Sequence, residues 1–275
     1  MAEAGADDLT SRIPAAGLPR LTPYELVFGD SAFEHRAFPA ILDEAEMLGE
    51  DTTSRERFAF LTRGSDAVRE LVPDEAPPHM LEEYRAILYH SFNFWRFGRR
   101  LYALDTPVAR YLVEAAPTLG GWDLRLPVPT AYVQLPPNLF WASISTDVPP
   151  EPVDGFFVTV SRAYDPLGAP ASMLEVLMVL GMRRVRAGFS VIPFETEYGP
   201  GIPAGWAEAP GREGAADFAN ILPGGEMKGL YSILTTTEAL KLLARTFWYV
   251  DRHPDDVQPH AAPERRAEDR PGSVP

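Results

Sequence analysis

The sharpest constraint on how this chain folds is a change of texture near Trp122. Before it, apolar residues recur at helical spacing. After it they come in short runs rich in Val, Tyr, Phe and Ile, punctuated by Pro, Gly and Asn. In the first half, Ile41, Leu42, Ala45 and Leu48 form one stripe within Phe38–Gly49, and Gly49 is placed to stop that helix. Thr53-x-x-Glu56 has the form of a capping box opening a short helix with Phe58 and Leu61. Pro77-Pro78 introduces the strongest helical pattern, from His79 to Leu104. Thr106-Pro107 reads as an N-cap followed by proline at the first helical position.

In the second half, Arg125–Leu135, Leu139–Ser145, Phe156–Arg162, Leu174–Met182 and Gly188–Glu197 are strand-sized and joined by short connections. Such spacing predicts an antiparallel meander. Leu174–Leu180 could be read either way. Its Met and Leu favour helix, its length and flanking turns favour strand, and strand is the reading taken. Its apolar run, like that of Phe156–Ser161, predicts cover on both faces of the sheet. Thr235-x-x-Glu238 is a second capping box, opening a closing helix through Leu240, Leu243, Phe247 and Val250.

Helices, then strands, then a last helix describe an α+β fold: an N-terminal helical half, an antiparallel β-meander and a closing C-terminal helix. No βαβ alternation is visible, which disfavours a doubly wound nucleotide-binding fold. The expected division is a flexible arm over 1–22, a single α+β domain over 23–250 and a disordered tail over 251–275. Within the domain, 38–116 is helical, 123–198 mainly β, and 199–250 loop and helix. The tail is acidic and Pro-rich, with two valines as its only large apolar residues, too few to order it.

Thirty-nine acidic against 25 basic residues give a net charge of −14, a field that repels nucleic-acid phosphates and anionic lipid surfaces. With no cysteine, disulfides, thiolate nucleophiles and cysteine-ligated metals are excluded. The opening residues lack the cationic-then-apolar pattern of a secretion signal, and no apolar run approaches the length of a bilayer span. The cytoplasm is the expected compartment, and neither nucleic acid nor membrane is an expected partner.

No phosphate-binding loop, dinucleotide fingerprint, zinc-protease motif or nucleophile elbow is present. His79, Glu83 and His90 share a helix face, but a dimetal bundle needs a second Glu-x-x-His helix, so no metal is expected. No cofactor is expected either. The acid–base candidates are Glu195 and Glu197, two apart on one strand face, with Asp154 and His90. The binding candidates are Arg183, Arg184 and Arg186, the densest basic cluster, and Trp206 in a long Gly/Pro loop. The expectation is a non-catalytic binding or assembly protein acting through protein–protein contacts, with a partner or with itself. Two alternatives stand beside it: a carboxylate-based hydrolase or lyase, and a small-ligand carrier with a pocket between the sheet and the long helix.

Overall fold

Strand β5 (Pro170–Leu180) shows why its sequence is apolar on successive residues. Leu174, Val176, Met178 and Leu180 pack into one core, while Leu177 and Val179 pack into another on the opposite face. A strand buried on both faces has no polar side to alternate. The computed structural model describes residues 20–49, 54–71, 78–114, 126–144, 147–164, 167, 169–182, 189–198, 235–254 and 260–261.

The helical half comprises α1 (Pro23–Val27), a π-helical turn (Phe33–Ala37), α2 (Phe38–Leu48), α3 (Arg55–Gly64), α4 (Asp66–Arg69) and the long α5 (Pro78–Arg96). Then follow β1 (Arg100–Ala103), α6 (Thr106–Glu114), β2 (Thr130–Gln134), β3 (Trp141–Ala142), β4 (Glu151–Tyr164), β5, β6 (Ser190–Glu197), α7 (Thr236–Arg252) and β7 (His260–Ala261). They build a seven-stranded sheet in the order β6-β5-β4-β2-β1-β7, with β3 paired to β4. The class is α+β, and β4-β5-β6 is an antiparallel meander.

Three details depart from the sequence reading. The long helix does not reach Leu104. It ends at Arg96, and Gly98 (φ 83°) and Arg99 (φ 51°) turn the chain into β1. Leu101 and Tyr102 fit a helical stripe and a strand equally well, so periodicity alone could not place this boundary. A βαβ unit is also present, because β1 runs parallel to β2 across α6 and makes the sheet mixed. Finally, described residues just outside the expected bounds of the domain take part in the fold. Thr22 is buried in what reads as the arm, and within the tail α7 continues to Arg252 while His260–Ala261 pairs with β1.

Local chemistry explains the element ends. Gly49 takes the left-handed conformation (φ 65°) that stops α2. Thr235 and Glu238 form the reciprocal capping box, the Glu238 carboxylate accepting from the Thr235 backbone N–H at 2.8 Å. The cap of α6 is Asp105 rather than Thr106, since its Oδ1 accepts the Val108 N–H at 2.8 Å. The residue before α3 is Ser54, and Thr53 lies outside the described residues. Gly155 admits no side chain, as a Cβ there would stand 2.3 Å from the Val133 carbonyl oxygen of β2.

The sheet separates two apolar cores. On one face, α6 and α7 cover Val133, Phe156, Val158 and the matching residues of β5. On the other, the N-terminal helices and α5 cover Tyr132, Phe157, Leu177, Val179 and Val191. The second core is dense in aromatic rings. Phe38 stands 5.6 Å from Phe92 and 5.5 Å from Trp95, and Phe58 stands 5.1 Å from Phe92. Among the described residues, no helix is long and apolar enough to cross a membrane.

Candidate functional site

A cleft of about 510 Å³ opens between α3, α5 and β6, within the size range of small-molecule sites. Phe58, Ala59 and Thr62 lie on one face of α3 and form its first wall. Ala86, Leu88 and Tyr89 of α5 form the second, and Val191 to Pro193 of β6, with Ile144, close the third side. Arg55, Arg63, Arg85, Glu82 and Glu83 supply the charges of its lining.

Behind the α5 wall lies a buried polar group. The Tyr89 hydroxyl hydrogen-bonds to the carboxyl of Glu175, and the Ser161 hydroxyl hydrogen-bonds to both. Burial raises the Glu175 carboxyl above its ordinary range, and Glu195, directly opposite on β6, adds repulsion. Arg55, from the cleft, pulls it back down, as do the two hydroxyls. The second oxygen, Oε2, is buried without a hydrogen-bond partner among the described residues. Burial, then the neighbouring carboxylate, push the Tyr89 hydroxyl far up. Ser161 also lines a second, more open cleft of about 500 Å³ at the C-terminal end of α5. There Tyr198 is held by accepting the Leu126 N–H at 2.9 Å. The Tyr89–Glu175–Ser161 chain thus links the walls of both clefts, although Glu175 lines neither.

Glu175 was missed by the sequence reading. Its signal is visible in retrospect as a lone carboxylate within the apolar run Met173–Leu180. Glu195 and Glu197 do share a face of β6, but both are exposed. The carboxylate beside Glu195 is Glu175, across the ladder. His90 is buried on α5, its Nδ1 3.0 Å from the Thr159 hydroxyl and its ring 6.2 Å from that of Phe157. Burial lowers its imidazole to about 3, helped by the Arg55 charge, so it is neutral at physiological pH.

Asp154 serves a different end of β4, five residues and roughly 16 Å from Thr159. Its Oδ2 accepts the Met182 N–H at 2.7 Å, and its Oδ1 lies 4.0 Å from the Arg20 guanidinium. Arg20 also donates to the Leu135 carbonyl at 2.7 Å. Asp154 therefore ties the start of the described chain and the end of β5 to the sheet. The structure does not join His90 and Asp154 into one site. None of Glu195, Glu197, Asp154 and His90 lines either cleft. Arg183, Arg184, Arg186 and Trp206 lie outside the described residues.

Among the described residues, no group of three or more His, Asp or Glu could hold a metal ion. No family model, curated protein or solved structure matches this chain.

Proposed function

We propose that the protein is a non-catalytic binding protein that holds a small, largely apolar ligand in the cleft between α3, α5 and β6. The observation that carries this reading is the cavity itself. At about 510 Å³ it has room for a small molecule, its floor is made of buried Phe58, Leu88, Tyr89 and Val191, and it lies between the sheet and the long helix. The acid–base candidates stand elsewhere, which favours binding over turnover.

Filling the cleft tests this. Ala59 is half-buried on the α3 wall, so Ala59→Phe should place a ring in the cavity without touching the core beneath. A neutral environment-sensitive dye such as Nile red should bind the unaltered protein saturably at one site. The variant should lose at least tenfold in affinity with its melting temperature unchanged. Equal dye binding by the two proteins would sink the proposal.

A second reading, self-association or docking of a protein partner, has its own observation. Met47 and Leu48 of α2 and Phe60 of α3 are exposed by 81%, 55% and 61%. Large apolar residues on neighbouring helices fit a contact surface. Sedimentation velocity at rising concentration should show a dimer that Phe60→Glu abolishes. A concentration-independent monomer would leave the self-association form of this reading without support.

A further inference from the structure

We propose that the ligand of this cleft is a soluble monoanionic amphiphile, an apolar chain ending in one carboxylate, with its head group held by Arg55, Arg63 and Arg85. The inference rests on the cleft being a ligand site and adds the chemistry of what enters it.

The charges of the lining point this way. The whole chain carries 39 acidic and 25 basic residues, yet the cleft gathers three arginines against Glu82 and Glu83, inverting the overall balance. Among the described residues none of the three guanidiniums forms an ion pair, whereas Arg20, Arg36, Arg69 and Arg99 each face a carboxylate. Arg55 and Arg63 are eight residues apart on α3, two turns along one face with Ala59 and Thr62 between them. Their planar, multidentate donors suit a carboxylate.

Glu82 and Glu83 set the other limit. Among the described lining residues, three positive charges against two negative leave one unit of positive charge, which one negative charge neutralises. The remaining lining, Phe58, Leu88, Ile144, Val191, Ile192 and Pro193, is apolar and suits a hydrocarbon chain.

Three ten-carbon probes with different head groups test this on the full chain: decanoate, decanol and decyltrimethylammonium, each titrated calorimetrically below its micelle concentration. Decanoate should bind one per chain, at least tenfold more tightly than decanol, and the cation should not bind measurably. The double variant Arg63→Gln/Arg85→Gln, at two exposed positions, should weaken decanoate at least tenfold and leave decanol unchanged. Arg55 is kept, because its charge also acts on Glu175 and His90.

If decanol matches decanoate, or the double variant binds decanoate normally, the head-group inference fails while the cleft reading stands. If Nile red binds at the cleft but no probe does, the amphiphile inference fails alone. If neither dye nor probe binds, the cleft reading itself fails. Binding to vesicles of an anionic lipid without binding to decanoate would overturn the proposal in favour of a bilayer surface.

Discussion

A His90→Gln variant should resist acid better than the unaltered protein, gaining about 3 kcal/mol in relative stability between pH 6.5 and pH 4. The imidazole is buried, stacked near Phe157 and hydrogen-bonded to Thr159. Its ordinary value of 6.5 falls to about 3 in the fold, first through burial and then through Arg55. Because the folded value is depressed, the unfolded chain takes up the proton first as pH falls. Stability present above 6.5 is therefore lost on acidification, at about 1.4 kcal/mol per pH unit. Glutamine occupies the site without titrating and can still hydrogen-bond to Thr159.

Glu25 has the opposite slope. Its carboxylate accepts the Thr22 N–H at 2.9 Å, but burial pushes it from an ordinary 4.5 up to about 7. Its folded value is raised, so its contribution is complete below 4.5 and is lost as pH rises towards 7. Glu25→Gln should remove that loss, about 3 kcal/mol, and leave the His90 slope exposed. Urea unfolding of the three proteins from pH 4 to pH 8 checks both signs. A His90→Gln curve parallel to that of the unaltered protein would show that the imidazole does not titrate as described.

Arg245→Ala should cost about 3–5 kcal/mol, more than any surface substitution. Arg245 is a fully buried arginine on α7, 2% exposed. Its Nη1 donates to the Leu112 carbonyl at 2.8 Å and the Val113 carbonyl at 3.3 Å. These belong to the last turn of α6, where backbone carbonyls have no helical partner and a cation offsets the helix dipole. Alanine removes the donor and leaves a void where the side chain packed. Arg245→Met should recover part of the loss by filling space while leaving the carbonyls unpaired. An unfolding free energy for Arg245→Ala within about 1 kcal/mol of the unaltered protein would refute the account; this threshold is about the typical worth of one hydrogen bond.

The legible parts of the fold were those decided locally. Ile41 and Ala45 on one stripe, Gly49 in the left-handed region and the Thr235–Glu238 box each follow from neighbours within a few residues. The stripe misled at Leu48, which is exposed in the last turn of α2. β1 was illegible because its four residues pair with partners some thirty and 160 positions away, at Tyr132 and His260. The candidate site suffered in the same way. Arg55, Tyr89 and Pro193 have no spacing that marks them as neighbours, because three separate elements bring them together. Glu175 was the exception, a single charge in an apolar strand, and a scan for isolated charges in buried runs would have found it.

The alternation along β4 and β5 also governs how the molecule comes apart. Phe156 and Phe157, or Val176 and Leu177, are chain neighbours that belong to different cores. Among the described residues there is no seam along which one layer of helices could peel off with its own share of the sheet. Loss of either core strips one face from the same two strands and withdraws support from the other. The two layers should therefore unfold together, with the walls of the cleft depending, through the sheet, on α6 and α7 on its far side.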